Sequence, residues 1–288
     1  MERQLTWNPT PRQPALRLPP RSCDAHVHVF GPLARFPFAP DSAIRPGDAP
    51  REALFALHAQ LGIERCVIVQ SLVHGFDNRV VEDAIAAGGG RYLGVALVPL
   101  AVSDAELARL AAAGFRGVRF NFMSEAAVAV AGDVLALTRR LAPLGLHLQL
   151  QIDGPRIHAL AALIEGSAVP MVIDHMARVD PASGPRNAQL AALRAHLHAR
   201  PQDQVKLSGI DRISRQADYG DGIALARALA EEFPEQCLWG TDWPHPNHHQ
   251  VPDDGALVDA LARIAPDAAL REQILVHNPG RFYRFEPA

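Results

Sequence analysis

Two histidines separated by one residue, His26 and His28, end the first apolar run of the chain. Side chains alternate along a strand, so these imidazoles and Asp24 point to the same face. Two imidazoles placed in this way can converge on one metal ion or on one carbonyl group. Three polar groups that point inward together favour a reactive site over a pair of hydrogen-bonded core histidines.

Two later apolar runs also end in groups that can do acid–base chemistry. Asp174 and His175 end one of them, and Asp242 and His245 lie in the segment Gly-Thr-Asp-Trp-Pro-His of the last. A carboxylate at the end of the last strand is suited to act as a general base for water. If these runs end at one place, Asp242, His26, His28 and His175 form the catalytic set.

The same four side chains offer the nitrogen and oxygen ligands that suit one zinc ion. Equally, the imidazoles can polarise a carbonyl directly as hydrogen-bond donors. Lys206 is the only lysine in the chain and lies in the seventh apolar run. A two-metal centre bridged by a carboxylated lysine on a middle strand is therefore excluded, and at most one metal ion is expected.

Two arginines are candidates for binding an anionic substrate. Arg119 shares a strand face with Asn121, and a buried arginine is costly unless it is paired. Arg119 is therefore either paired with a carboxylate of the protein or free for an anionic ligand. Arg212 is either a second carboxylate ligand or a surface residue, since a guanidinium binds carboxylate bidentately. The further predicted substrate-binding residues are Asn121, Ser71, His74, Gln151, His245 and Asn247.

The elements that carry these residues alternate between short apolar runs and amphipathic segments. The runs predict eight strands, at 23–30, 65–71, 92–100, 117–122, 147–153, 170–176, 205–209 and 237–243. The segments between and after them predict helices over 51–62, 77–88, 103–113, 126–144, 155–165, 186–199, 221–233, 255–264 and 267–276. This alternation implies parallel pairing and predicts an α/β fold, a (β/α)8 TIM barrel of the metal-dependent-hydrolase type. Its catalytic groups are expected at the carboxyl ends of the strands.

The domain organisation follows from length and from proline content. A chain of 288 residues is close to the ~250 residues typical of one such barrel. Residues 1–21 carry five prolines and no periodic pattern, which predicts an N-terminal arm that wraps the barrel or stays mobile. Residues 22–288 are expected to form one barrel domain. The long loop over 31–50 follows the first strand and is expected to be functional.

Composition excludes several classes of partner. The formal net charge is −3 and no strongly basic run is present, which argues against nucleic acid and anionic membranes. No apolar stretch approaches ~20 residues, so no membrane span is expected. Three separated cysteines, without a secretory leader, indicate a cytoplasmic protein. We expect a monomer or a homodimer that acts on a small molecule.

The segments around the candidate residues resemble the amidohydrolase superfamily, and within it the 2-pyrone-4,6-dicarboxylate lactonases. The resemblance extends from about residue 22 to the C-terminal Asn-Pro-Gly-Arg-Phe-Tyr. Its last-strand motif, Trp-Gly-Thr-Asp-Trp-Pro-His-Pro-Asn, is the most specific, and the similar segments are 23–32, 35–37, 118–122, 173–176, 205–209 and 239–247.

The resemblance implies a hydrolase of aromatic compound catabolism that opens the lactone ring of a small carboxylated substrate. It also implies that Asp242 activates water, that His26, His28 and His175 polarise the carbonyl, and that no metal is required. One divalent ion such as zinc, held by these four residues, is the alternative. The alternative functions are a zinc-dependent decarboxylase of an aromatic or muconate-type acid and a sugar-acid lactone isomerase.

One segment departs from the pattern of those lactonases. They have a second carboxylate-binding arginine shortly after their Arg-Phe-Asn-Phe segment, whereas residues 123–127 here read Met-Ser-Glu-Ala-Ala. Arg35 or Arg45 of the first loop is a candidate replacement. The sequence therefore leaves open whether the substrate carries one acidic group or two.

Overall fold

A computed structural model describes residues 4–184, 187–248 and 250–285 of the chain. Its eight parallel strands are arranged in chain order in one sheet, which confirms the predicted (β/α)8 barrel. The backbone N–H of Ala25 donates to the carbonyl of Trp239 at 2.8 Å, so the segment after the last strand returns to the first. The strands are β1 (Cys23–Val27), β2 (Arg65–Val69), β3 (Tyr92–Leu97), β4 (Phe115–Asn121), β5 (His147–Gln151), β6 (Met171–Ile173), β7 (Gln204–Lys206) and β8 (Cys237–Leu238).

Helices cover the outside of the barrel. They are α1 (Arg51–Leu61), α2 (Arg79–Ala87), α3 (Asp104–Ala112), α4 (Glu125–Val128), α5 (Ala131–Leu141), α6 (Ala161–Gly166), α7 (Ala188–Ala199), α8 (Ile210–Ile213), α9 (Gly220–Glu232), α10 (Asp254–Ile264), α11 (Ala268–Glu272) and α12 (Asn278–Tyr283). Residue 186, where the sixth predicted helix was expected to begin, lies outside the described residues. The short helices α8 and α12 were not predicted.

The continuous helix predicted over 126–144 was wrong. This region contains α4, α5 and a 3-10 turn, Ala142–Leu144. Pro143 has no backbone N–H to continue an α-helical ladder, which explains why α5 ends at Leu141. The start of the helix predicted over 155–165 was also wrong, because a 3-10 turn, Gly154–Arg156, lies there and α6 begins only at Ala161.

Several predicted strands extended too far toward the catalytic end of the barrel. β1 ends at Val27 rather than at residue 30, β6 at Ile173 rather than at 176, and β8 at Leu238 rather than at 243. The residues that follow are as deeply buried as the strands, so their apolar character could not separate strand from loop. The backbone leaves the sheet there through positive φ angles, such as 52° at His175 and 67° at Asp242.

The described part of the N-terminal arm, residues 4–21, contains no helix or strand and lies along the barrel. Arg12 forms an ion pair with Asp259 of α10 at 2.7 Å, and Gln60 of α1 donates to the carbonyl of Pro11 at 2.6 Å. Trp7 packs edge-to-face on Trp243, with ring centroids 5.4 Å apart. The arm therefore supports the loop that follows β8.

The three cysteines are free and buried, as expected for small apolar residues of a core. Among the described residues no helix is both long enough and apolar enough to cross a membrane.

Candidate active site

The carboxylate of Asp242 lies at the centre of the catalytic end, and its two oxygens have different surroundings. Oδ2 accepts a hydrogen bond from Nε of Arg212 at 2.5 Å. Oδ1 is buried without a hydrogen-bond partner among the described residues. It faces three imidazole Nε2 atoms, of His28 at 3.5 Å, His26 at 3.6 Å and His175 at 4.0 Å. The structure thus brings the four predicted catalytic residues together around one free carboxylate oxygen.

The protonation states in this cluster follow from burial and from Arg212. Burial alone would raise the pKa of Asp242, but Arg212 and the neighbouring imidazoles hold it well below the usual range. Burial lowers the pKa of His26 to about 4, and the charge of Lys206 contributes. Burial also lowers the pKa of His175 well below its usual value. At neutral pH, Asp242 is therefore ionised while His26 and His175 are neutral.

The partners of Nδ1 indicate the tautomers of His28 and His175. Nδ1 of His28 lies 2.7 Å from the carbonyl oxygen of Val69, which only accepts, so neutral His28 carries its proton on Nδ1. Nδ1 of His175 lies 2.9 Å from the hydroxyl of Ser208, which can donate to it. Nδ1 of His26 lies between a donor, Nζ of Lys206 at 3.3 Å, and an acceptor, Oδ1 of Asp174 at 3.2 Å, so these contacts are compatible with either tautomer. Nε2 is then an acceptor in neutral His28 and, with Ser208 donating to Nδ1, a donor in His175.

A second buried carboxylate, Asp174, organises the barrel interior beneath this cluster. It accepts hydrogen bonds from Nε of Arg119 at 2.9 Å and from Nε2 of Gln149 at 2.8 Å. Nδ1 of His26 lies 3.2 Å from its Oδ1, and Nζ of Lys206 lies 3.6 Å from the same oxygen. Burial lowers the pKa of Lys206 to about 8, and Asp174 opposes that shift.

Asp174 and Lys206 were not among the predicted site residues. Lys206 entered the prediction only as the residue that excluded a two-metal centre. The available signal was the position of the one lysine of the chain on a barrel strand, where a buried ammonium group needs a counter-charge. Asp174, directly before His175, was the nearest candidate in a neighbouring strand.

The two predicted anion-binding arginines are both paired within the protein. Arg119 is paired with Asp174, the first of the two alternatives that the sequence left open. Arg212 is paired with Asp242 and also donates to the carbonyl of Pro246 at 2.9 Å. The Arg119 pair uses Nε, and the same residue lines a cavity of about 610 Å³ together with Asn121. Arg119 can therefore still present its outer nitrogens to a ligand.

The remaining predicted substrate-binding residues divide into two groups. Asn247 lines a cavity of about 540 Å³ with Arg212, and also a cavity of about 660 Å³ that His74 borders. Asn121 accepts from the backbone N–H of Met123 at 2.9 Å at the edge of the Arg119 cavity. These residues surround the mouth of the barrel.

The other group is engaged inside the protein. Ser71 accepts from the backbone N–H of Val73 at 3.3 Å. His245 is fully buried, and its Nε2 lies 3.0 Å from the carboxylate of Asp254 at the start of α10. Gln151 is half-buried at the end of β5. The contacts of Ser71 and His245 favour a role in supporting the loops.

The first-loop arginines that were candidates for a second carboxylate site have partners of their own. Arg35 forms an ion pair with Asp83 of α2 at 2.6 Å. Arg45 donates to the carbonyl of Pro40 at 3.1 Å within the same loop. Neither lines the cavity that Arg212 and Asn247 share.

The cluster fits the donor set of one zinc ion. Ligand atoms of His26, His28 and Asp242 all lie within 4.8 Å of one another. Nε2 of His26 and Oδ1 of Asp242 are buried without hydrogen-bond partners among the described residues. His175, the fourth ligand of the predicted zinc set, groups instead with His26 and Asp174.

A family model described as Amidohydrolase matches residues 23–285. The chain belongs to the amidohydrolase family. This amidohydrolase is 40% identical to the 2-pyrone-4,6-dicarboxylate hydrolase of Comamonas testosteroni, over 97% of this chain and 95% of that one. It is 38% identical to the 4-sulfomuconolactone hydrolase of Rhizobium radiobacter, over 92% of this chain and 91% of the relative. A crystal structure from Agrobacterium tumefaciens superposes with a TM-score of 0.82 at 27% identity, covering 96% of this chain and 100% of that chain.

Proposed function

We propose that this amidohydrolase hydrolyses the lactone ring of a small carboxylated substrate. Two relatives that match almost the whole chain are lactone hydrolases by name, and both names describe acidic lactones. The observation that carries the proposal is the free Oδ1 of Asp242, which three imidazole Nε2 atoms surround at 3.5–4.0 Å. This geometry provides an ionised base, acceptors for water and donors for a carbonyl oxygen in one place.

In the proposed reaction, Asp242 and His28 orient the water. Oδ1 of Asp242 and Nε2 of His28 both accept hydrogen bonds and lie 3.5 Å apart. Asp242 takes a proton as the water oxygen bonds to the lactone carbonyl carbon. The ring C–O bond then breaks, and Asp242 returns the proton to the departing oxygen. Water is consumed, and the product carries one more carboxyl group.

In the proposed arrangement the carbonyl oxygen lies against Nε2 of His26 and of His175, and each neutral imidazole donates to it as the Nε2–H tautomer. A preorganised donor at a developing oxyanion is worth roughly 10²–10³ in kcat. This assignment differs from the sequence prediction, in which His28 also polarised the carbonyl. The hydrogen bond from His28 to Val69 leaves the neutral imidazole without a donor at Nε2.

The charges of the site support an anionic substrate. Asp211 pairs with His248 beside Asp242, and the buried Asp24 acts on Lys206. Among the side chains in direct ion-pair contact with Asp174 and Asp242, Arg119, Lys206 and Arg212 contribute three positive charges against these two carboxylates, a local excess of one. An acidic group on the substrate would balance this excess. The same excess opposes the entry of a divalent cation.

We propose that no metal is required for this reaction. A zinc ion held by His26, His28 and Asp242 would supply Lewis-acid polarisation and lower the pKa of a bound water. Arg212 and Lys206 already lie within hydrogen-bonding distance of two of these three residues, Asp242 and His26. Their charges raise the cost of placing a dication between them.

Replacement of Asp242 tests the proposal. With 2-pyrone-4,6-dicarboxylate or 4-sulfomuconolactone as substrate, Asp242→Asn should lower kcat by about 10³-fold or more, as expected for loss of a general base. Circular dichroism should show an unchanged fold, and the exposed Asp104→Asn variant should keep its activity. Turnover in oxygen-18 water should place one label in the product. Unlabelled product would instead indicate an isomerase, and an active Asp242→Asn variant would exclude the mechanism.

A further inference from the structure

Three side chains that can bind a metal lie together beside the catalytic cluster, and the proposed reaction uses none of them. Asp211 is in α8, and His245 and His248 lie in the loop after β8. One ligand atom from each lies within 4.8 Å of the other two. All three side chains are buried, with exposed fractions of 5% or less. Two imidazoles and a carboxylate in one buried place are typical ligands of a divalent transition metal.

Two acceptor atoms of this cluster lack a hydrogen-bond donor. Nε2 of His245 lies 3.0 Å from the fully buried carboxylate of Asp254, so the neutral imidazole carries its proton on Nε2 and has a lone pair at Nδ1. A carboxylate that holds the other ring nitrogen in this way is a regular feature of metal-binding histidines. Nδ1 of His245 and Oδ1 of Asp211 are both buried without a hydrogen-bond partner among the described residues. Buried acceptors without donors are costly, and a cation that binds both removes that cost.

His248 supplies the third ligand of the cluster. Its Nδ1 lies 2.8 Å from Oδ2 of Asp211, and its ring centroid lies 5.2 Å from that of His245. Asp211 and His248 also line a cavity of about 540 Å³. This cavity provides a path by which an ion can reach the buried ligands.

The charges around the two imidazoles favour a cation. Asp211 and Asp242 contact His248, and Asp254 contacts His245, which gives three carboxylates. Arg212, whose charge acts on His248, contributes one positive charge. Imidazoles bind metals in the neutral form, so the negative charge of the carboxylates is in excess.

The excess remains negative when the other charged groups of the cavity are included. Arg178 and Arg215 also line it, and Arg215 is paired with Asp180 at 2.7 Å. The four carboxylates then exceed the three guanidinium groups by one charge. A divalent cation is therefore attracted here, whereas cations are in excess among the contacts of Asp174 and Asp242.

We propose that Asp211, His245 and His248 bind one divalent transition-metal ion such as zinc, and that the bound ion inhibits the enzyme. His248 lies 3.7 Å from Oδ2 of Asp242, and Arg212, which follows Asp211 in the chain, donates to the same oxygen. An ion that draws Asp211 and His248 together therefore shifts the contacts of the carboxylate that activates water. The metal site is independent of the proposed lactone hydrolysis, whereas the inhibition rests on it.

The binding test is calorimetry of zinc with protein that has been dialysed against a chelator. The wild type should bind one zinc ion, and Asp211→Asn and His245→Gln should each lose this binding. Asp254→Asn, which keeps all three ligands, should weaken it by about 10- to 100-fold. The matched controls Asp218→Asn and His277→Gln change exposed side chains and should bind zinc as the wild type does. Circular dichroism checks the fold of each variant, and Asp211→Asn alone decides the test if His245→Gln does not fold.

The variant His28→Gln separates this site from the donor set of His26, His28 and Asp242. It should bind zinc as the wild type does, because His28 is not a ligand of the proposed site. Zinc binding that is lost in His28→Gln but kept in Asp211→Asn would overturn the proposal, as would a wild type that binds no zinc.

The inhibition is tested by hydrolysis of 2-pyrone-4,6-dicarboxylate, with each protein compared with its own rate in the absence of zinc. Saturating zinc should lower the rate of the wild type by at least about 10-fold, since small displacements of a catalytic group are costly. It should leave the rate of Asp211→Asn unchanged. Equal inhibition of the two proteins would overturn the inhibitory role. If zinc binds as expected but the wild type hydrolyses no lactone, the metal site stands and the proposed function fails.

Discussion

At the scale of single residues, Asp174 is the counter-charge of the cationic side chains that are buried inside the barrel. Its carboxylate is fully buried and contacts Arg119, Lys206 and His26. Burial alone would raise the pKa of Asp174, but His26, Arg119 and Lys206 hold it well below its usual range. Lys206, from which the sequence excluded a two-metal centre, is thus a counter-charge of Asp174 that also contacts Nδ1 of His26.

Removal of the charge of Asp174 tests this interpretation. Asp174→Asn leaves Arg119 and Lys206 without their buried partner and should lower the free energy of unfolding by about 3–5 kcal/mol. Adding Lys206→Met to Asp174→Asn removes one of the two stranded cations and should recover part of that loss. Urea denaturation of both single variants and of the double variant measures the coupling. Strictly additive losses would show that the two groups do not interact.

The charge excess around Asp242 leads to a second prediction at this scale. Protein dialysed against a strong chelator should retain its lactone hydrolysis, and metal analysis should find far less than one zinc ion per chain. Addition of zinc should not increase the rate, because Arg212 and Lys206 oppose a dication near His26 and Asp242. Near-stoichiometric zinc, with activity lost on chelation and restored by zinc, would show that the His26–His28–Asp242 donor set is a metal centre.

At the scale of elements, short turns after the strands aim the catalytic groups. Gly209, between β7 and α8, has a φ of +76°, and a Cβ built there would lie 3.1 Å from Nδ1 of His175. That nitrogen is the one that contacts Ser208. The conformation of one glycine therefore determines both the hydrogen bond and the position of His175.

Gly209→Ala should distinguish the positioning of His175 from the backbone strain that any left-handed alanine causes. Gly62, at the end of α1, has a φ of +77°, and a Cβ added there would meet nothing within 4 Å, so it is a matched control. Both alanine variants should lose roughly 1–2 kcal/mol of stability, from the left-handed backbone. Only Gly209→Ala should also lower kcat, by about 10-fold or more, because His175 is displaced from its donor position. Equal activity of the two variants in a kinetic assay would contradict this account of Gly209.

At the scale of the whole molecule, the barrel buries several histidines in the neutral form. Burial lowers the pKa of His26 to about 4 and that of His147, at the opposite end of the barrel, to about 3. It lowers the pKa of His175 as well. His248 behaves in the opposite way: burial would lower its pKa, but hydrogen bonds to Asp211 and Asp242 raise it. Three of these four histidines therefore have a lowered pKa, and only His248 has a raised one.

Stability should therefore fall on acidification. Between pH 6.5 and about 4 the unfolded chain binds protons that the folded histidines do not, so the free energy of unfolding decreases as the pH falls. One such histidine contributes roughly 2 kcal/mol between pH 6.5 and 5. Urea denaturation at pH 7, 6 and 5 should show at least that loss, and His147→Gln should show a smaller one. Stability that is constant or higher at pH 5 would contradict the buried neutral state.

Much of the fold and half of the site could be predicted because they depend on short-range patterns. Eight alternating runs indicate parallel strands joined by crossover helices, and eight such units can close a barrel. The spacing of His26 and His28 places both on one strand face whatever the neighbouring strands contain. Asp242 and His175 could be added because the carboxyl ends of all the strands meet at one end of a barrel.

Only the tertiary structure decided which charged groups have partners. Arg119 meets Asp174 across 55 residues and Lys206 meets His26 across 180, and such contacts depend on how the strands are aligned around the barrel. The tautomer of His28 depends on a carbonyl of β2, and the direction of His175 depends on a left-handed turn. Residue types and spacing therefore determined the chemistry available to this protein, whereas contacts between distant strands and loops determined which residue performs each part.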